Sequence, residues 1–192
     1  MGGDSICEGN LLKLQNQRKN KQLGKTELLK EVFAKYNSYD SLTWEKVYFD
    51  EFSGGFNICH KEHKFTEAGG GGEAEKIVGK MLAKYNGKQV EFLPEGWKKQ
   101  PDIKFDDQTW DIKYIDNANE ETIRAAIRDA RKADNAIFYF TDESKSVLLN
   151  SAIVREAGRF LKGQTNEIPD IYVIDKSGLL KLLWKKQKGL NK

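Results

Sequence analysis

Apolar residues recur along the chain at two spacings, one typical of helices and one typical of strands. Helical spacing predicts helices over 27–36, 73–85, 119–134 and 146–162. Alternating or short apolar runs predict strands over 44–50, 56–60, 88–93, 136–140, 171–174 and 179–184, with a further strand pair within 101–113. The run at 136–140 is apolar throughout, as expected for a strand covered on both faces.

The order of these segments predicts an α/β fold with a mixed central sheet flanked by helices. From residue 73 onward the order is helix, three strands, helix, strand, followed by a further helix and a closing strand pair. The glycine run at 69–72 is expected to act as a flexible joint. We therefore predict an N-terminal arm, helix and β-hairpin over 1–68, and a core over 69–192.

The segment 101–113 contains the most specific pattern of charged residues. It is predicted to form two short strands joined by a polar turn at 106–108. Side chains two positions apart in a strand share a face, so Asp111 and Lys113 point the same way, and the apolar residues between and around them point the other way. If the two strands pair, Asp102 reaches the same edge of the sheet.

Such a grouping has a direct chemical use. Two carboxylates suit a hard divalent ion such as Mg²⁺, which is commonly held by one or two carboxylates, water and substrate phosphate. The ion activates water and neutralises charge on a phosphodiester, and a lysine stabilises the anionic transition state. The alternative interpretation is an exposed hairpin with an ordinary ion pair between Asp111 and Lys113, which contributes little free energy.

Two glutamates, Glu73 and Glu75, fall in the first turn of the helix predicted at 73–85. Carboxylates are favoured there by the helix dipole, which explains both without any function.

Several basic residues are candidates for binding nucleic acid. Arg124, Arg128 and Lys132 lie on the helix predicted at 119–134, and Lys98 and Lys99 lie in the loop before the predicted strand pair. Arginine and lysine in such positions can hold phosphates. The alternative is a solvated helix face whose arginines pair with acids three or four residues away.

His60 and His63 follow Cys59 at short spacing. A structural zinc site needs four ligands, and only Cys7 is left to supply the fourth, which argues against zinc. A surface histidine pair is the favoured interpretation, with phosphate contact as the second.

Composition places the chain in the class of soluble globular proteins. Its 192 residues are 39% hydrophobic and 32% charged, with a net charge of +3, too small to indicate nucleic acid without charge placement. No apolar run is long enough to span a bilayer, the start lacks the features of a signal peptide, and two cysteines do not make a disulfide framework. A cytoplasmic location is expected.

The Pro-Asp pair at 101–102, followed by Asp-x-Lys at 111–113, resembles the signature of the PD-(D/E)xK nuclease superfamily. With the segments 75–83, 90–94 and 136–140, it resembles a narrower group, the C-terminal tRNA-nuclease domain of contact-dependent growth inhibition toxins. Related domains occur on phage head-associated proteins and mobile elements. The resemblance covers about residues 56–140 and leaves the N-terminal arm out.

This resemblance implies a metal-dependent endonuclease acting on RNA, with tRNA favoured. Asp102 and Asp111 would bind Mg²⁺ or Mn²⁺, Lys113 would assist the attacking water or the transition state, and Glu75 (or Glu73) would complete the site. It also implies a neutralising immunity protein or a phage partner, and delivery into a target cell's cytoplasm or association with phage. The alternatives are a DNA endonuclease and a non-catalytic phage-associated module that binds nucleic acid.

Overall fold

The computed structural model describes residues 24–65, 70–96, 100–162, 168–175 and 177–186. Contacts divide the chain into two compact units, Met1–Tyr39 and Asp40–Lys192. In the first unit residues 24–38 are helical (α1), which confirms the helix predicted over 27–36. The described part of the chain contains no helix with the length and apolarity needed to cross a membrane.

The second unit alternates strands and helices. Its elements are β1 (Trp44–Phe49), β2 (Phe56–His60), α2 (Gly71–Asn86), β3 (Gln89–Phe92), β4 (Ile103–Phe105), β5 (Gln108–Tyr114), α3 (Glu120–Asp129), β6 (Asn135–Tyr139), α4 (Ser146–Lys162), β7 (Asp170–Ile174) and β8 (Leu180–Trp184). Short 3₁₀ turns at Ala130–Lys132 and Glu143–Lys145 follow α3 and precede α4.

All eight strands form one mixed sheet, in which they lie side by side in sequence order. The pairs β2–β3, β5–β6 and β6–β7 are parallel, because a helix crosses over between the two strands of each pair. The remaining neighbours are antiparallel. The predicted α/β class with a mixed sheet flanked by helices is confirmed. The hairpin β1–β2 belongs to the same sheet as the strands after residue 69.

The sheet is covered on both faces. On one face α2 buries Val78 and Leu82 against Phe92 and Trp110. On the other face α3 and α4 pack against the alternate residues of β6 and β7 in a second apolar cluster. Each fully buried side chain of this size contributes about 1.5–3 kcal/mol, so the two clusters hold the sheet between its helices.

The turn between β4 and β5 sets the register of the central strands. Asp106 and Asp107 both have positive φ, 52° and 60°. A two-residue hairpin turn requires this at both central positions, and aspartate tolerates it better than most residues. The turn pairs Ile103 with Trp110 across the two strands. Trp110 thereby enters the cluster under α2, and Asp111 is turned towards α3.

Several predicted boundaries differ from the structure, among them the end of α3 and the start of α2. The helix predicted to reach residue 134 ends at Asp129 and tightens into a 3₁₀ turn. The carboxylate of Asp134 accepts from the backbone N–H and the hydroxyl of Thr109 at 3.0 and 2.7 Å, which holds this residue against β5 just before β6 begins. The helix α2 begins at Gly71, inside the predicted glycine joint, while residues 66–69 lie outside the described residues.

Candidate functional site

Asp111 lies in the middle of β5, the strand that adjoins β6. Its side chain is 0% exposed, and it contacts two ammonium groups. The Nζ atom of Lys113 lies 2.6 Å from Oδ2, and the Nζ atom of Lys132 lies 2.8 Å from Oδ1. A buried carboxylate of this kind is tolerated only because opposite charges compensate it.

Asp102 lies just before β4, at the edge to which Asp111 also points. Its Oδ2 accepts a hydrogen bond of 2.7 Å from the backbone N–H of Ile112, and its Oδ1 lies 3.3 Å from the Nζ atom of Lys132. Lys132 therefore bridges both carboxylates. The predicted convergence of Asp102, Asp111 and Lys113 at one edge of the sheet is confirmed.

A third carboxylate, that of Asp129 at the end of α3, lies 2.6 Å from the Nζ atom of Lys113. We call Asp102, Asp111, Asp129, Lys113 and Lys132 the acid–lysine cluster. Three carboxylates face two ammonium groups, so one negative charge is left over. The first turn of α3 is stabilised by its N-cap, Asn119, whose side chain accepts from the backbone N–H groups of Glu121 and Thr122.

The charges of the cluster shift one another's pKa values. Burial raises the pKa of Asp111 to about 6, the charge of Asp102 adds to this rise, and the two lysines oppose it. Burial alone would lower the pKa values of Lys113 and Lys132, but the neighbouring carboxylates outweigh it and raise both. Both lysines therefore remain charged at neutral pH.

The donors present fit a divalent cation. The ammonium group of Lys132 lies between the carboxylates of Asp102 and Asp111 and stands in for the cation that two such carboxylates would share. Within the described ranges, no three carboxylate, imidazole or thiol side chains gather in an arrangement that could hold a metal ion. The protein ligands available to a metal ion are thus two carboxylates. Water and substrate phosphate would complete the coordination, as is common for Mg²⁺.

Glu75 contacts a histidine and lies on the helix that covers the opposite face of the sheet. Its Oε2 is 3.1 Å from Nε2 of His63, whose Nδ1 lies 2.7 Å from the carbonyl oxygen of Leu93. Burial alone would lower the pKa of His63, but the bonds to Glu75 and Leu93, together with the charges of Glu75 and Asp102, raise it. Glu73 points to solvent.

The expectation of a surface histidine pair is wrong for His63, because its side chain is 3% exposed and packs against Phe65 and Phe92. His60 lies at the end of β2, with its ring against that of Trp44 at 5.2 Å. Cys59 is buried and free, and burial raises its pKa to about 11, so it is a poor metal ligand. Cys7 lies outside the described residues.

The structure separates the predicted nucleic-acid-binding residues. Arg124 donates from Nε to the buried carboxylate of Glu156 at 3.0 Å, and Lys132 lies inside the acid–lysine cluster. Arg128 is exposed and, with Asp129, lines an open groove of about 500 Å³ along α3. Lys98 and Lys99 lie outside the described residues.

Sequence reasoning missed the roles of Asp129 and Lys132 in the cluster. The two residues are three positions apart at the end of the helix predicted at 119–134. In the sequence this spacing is typical of an ion pair on a helix surface. The available signal was their position at the end of the helix that leads into the strand beside β5.

Comparison with known proteins finds one family model that matches part of the chain. Residues 98–180, less than half of the chain, match the family model described as the contact-dependent growth inhibition CdiA C-terminal domain. This part includes all five residues of the acid–lysine cluster and omits α2. No curated protein and no solved structure matches the chain.

Proposed function

We propose that this chain is a metal-dependent endonuclease that cleaves RNA, with tRNA as the favoured substrate, and that it acts as a toxin domain of the contact-dependent growth inhibition type. The supporting observation is the acid–lysine cluster, in which the carboxylates of Asp102 and Asp111 share the ammonium group of Lys132 and Lys113 lies beside Asp111. The match of residues 98–180 to a toxin domain supports the biological setting.

In this proposal Asp102 and Asp111 hold Mg²⁺ or Mn²⁺. When bound, the ion supplies an activated water and neutralises charge on the scissile phosphodiester. The backbone N–H of Ile112 fixes the carboxylate of Asp102, and the position of Asp111 in the sheet fixes its carboxylate. Both carboxylates are therefore preorganised.

Lys113 is oriented by two carboxylates, those of Asp111 and Asp129, each 2.6 Å from its ammonium group. A lysine held in this way can donate its third N–H to an oxygen of the phosphate or to the attacking water. Its raised pKa makes it a charge stabiliser and hydrogen-bond donor, not a general base at neutral pH.

Lys132 compensates the buried charge of Asp111 when no divalent ion is present. If an ion took over this role, the ammonium group of Lys132 would be available to hold the substrate phosphate as a second positive charge. Glu75 and its partner His63 are proposed to support the site from the end of α2.

A toxin of this kind requires a neutralising immunity protein in the cell that makes it, and we include such a partner in the proposal. The target of the domain is then the cytoplasm of the cell into which it is delivered.

Incubation of the purified chain with a tRNA panel and with plasmid DNA, with and without chelator, tests this function. We expect metal-dependent cleavage of tRNA, and a loss of about 100-fold or more in rate for Asp111→Asn and for Lys113→Met. The matched control is Lys104→Met, which removes a lysine from the neighbouring strand β4 and should leave the rate unchanged.

Cleavage that persists in chelator, or equal rates for the wild type and the two site variants, would contradict the proposal. Preference for plasmid over tRNA would replace RNA by DNA as the substrate.

A further inference from the structure

Three lysines form a row along the outer face of α2. Lys76, Lys80 and Lys84 are all exposed and follow one another at intervals of four residues, which places them on one side of the helix about 6 Å apart along its axis. We call these three residues the α2 lysine row.

Each ammonium group of the α2 lysine row lies over an aromatic ring. Lys76 is 4.9 Å from the centroid of Phe65, Lys80 is 5.1 Å from that of Tyr48, and Lys84 is 5.3 Å from that of Tyr85. In the described part of the chain none of the three pairs with a carboxylate. Their positive charge is therefore not neutralised, and the rings restrict the side chains before any partner binds.

The arginines of α3 and α4 are in a different situation. Arg124, Arg155 and Arg159 surround the fully buried Glu156, and two of them also contact Glu120. Most of their charge is thus compensated inside the protein. Part of the uncompensated positive charge of the core unit lies on α2, where it forms a regular row.

A chain of contacts connects the start of the row to Asp102 of the acid–lysine cluster. Glu75, the residue before Lys76, contacts His63, and the other ring nitrogen of His63 contacts the carbonyl oxygen of Leu93. The backbone N–H of Leu93 donates to the carbonyl oxygen of Asp102 at 2.9 Å. From this end, Lys80 and Lys84 extend the row by about 12 Å along the helix.

We propose that the α2 lysine row binds the sugar–phosphate backbone of the nucleic acid on which the site acts. This inference rests on the proposed function and deepens it, because it assigns the substrate-binding surface to α2. Regularly spaced, partly ordered ammonium groups attract successive phosphates without reading bases, and little side-chain entropy is lost when they bind.

Fluorescence anisotropy with labelled tRNA in chelator tests the α2 lysine row without any cleavage. For Lys76→Gln, Lys80→Gln, Lys84→Gln combined, the slope of log K against log salt should become shallower by about 2 to 3, since each lysine lost removes nearly one released counterion. The triple arginine variant at the same positions should bind as the wild type does. The same measurement with labelled duplex DNA of equal charge shows whether the α2 lysine row binds RNA more tightly than DNA.

The matched control replaces Lys104, Lys145 and Lys181 by glutamine, which removes the same charge elsewhere in the core unit. Equal weakening by the control, or an unchanged slope for the α2 variant with a wild-type melting temperature, would overturn the inference. If the chain binds RNA through these lysines but cleaves nothing, only the nuclease proposal is refuted. If the chain cleaves RNA and the salt slope of the α2 variant equals that of the wild type, only the proposal for the α2 lysine row is refuted.

Discussion

At the scale of single residues, Asp111 is the most constrained group of the site. It is a fully buried carboxylate whose two oxygens each face an ammonium group, at 2.6 and 2.8 Å. The free-energy cost of burying such a charge is offset only while its partners are present. Lys132 supplies one of these partners and also contacts Asp102, so its removal affects both predicted metal ligands.

We expect Lys132→Met to lower the free energy of unfolding in chelator by about 3 kcal/mol, because it leaves a buried carboxylate with one counter-charge fewer. Adding Asp111→Asn to this variant should restore part of the loss, since the uncompensated charge is then gone. Urea denaturation of the wild type, both single variants and the double variant measures this coupling. Additive losses in the double variant would show that Lys132 does not stabilise Asp111.

At the scale of elements, α2 and the β1–β2 hairpin approach each other very closely. Gly55, just before β2, lies against the carbonyl of Ala83 in α2, so a Cβ there would be only 1.8 Å from that oxygen. The same helix end is closed by Gly87, whose φ is 62° and whose N–H donates to Ala83. The hairpin and the helix therefore fit only with glycine at residue 55.

Gly55→Ala should lower the free energy of unfolding by about 2 kcal/mol or more, since backbone atoms cannot yield to an added methyl group as side chains do. Gly71→Ala is the matched control, because nothing lies within 4 Å of a Cβ at that position in the first turn of α2. That control should be neutral or slightly stabilising. Thermal melts of both variants test the difference, and equal melting temperatures would contradict the close approach.

The elements themselves were largely predictable. The helix at 146–162 and the strand at 56–60 have the predicted bounds, because their apolar spacing is regular. The end of α3 was placed too late, since the contact of Asp134 with Thr109 joins residues 25 positions apart and leaves no local signal.

At the scale of the whole molecule, the sheet separates two environments. The acid–lysine cluster lies on the face that carries α3, and the pair of Glu75 and His63 lies with α2 on the other. The two meet at the edge where Asp102 precedes β4. A cation bound to Asp102 and Asp111 would link the start of β4 to the middle of β5 and thereby stabilise the centre of the sheet.

Mg²⁺ or Mn²⁺ should therefore raise the melting temperature of the wild-type chain, by an amount that corresponds to about 2.7 kcal/mol at an ion concentration one hundred times the Kd. Asp102→Asn and Asp111→Asn should remove the shift, and Asp142→Asn, an exposed aspartate before α4, should keep it. Differential scanning fluorimetry with metal titration measures this. A wild type whose melting temperature is insensitive to both ions would argue against the metal site and favour a binding module.

The sequence by itself determined the order of helices and strands and the face on which Asp111 and Lys113 lie, because both follow from spacings of two and of three to four residues. It also indicated that Asp102 would share their edge. Only the tertiary structure placed Lys132 between the two aspartates, compensated Arg124 with Glu156, and buried His63 against Glu75. These contacts join residues 12 to 32 positions apart, so they depend on how the helices dock on the sheet.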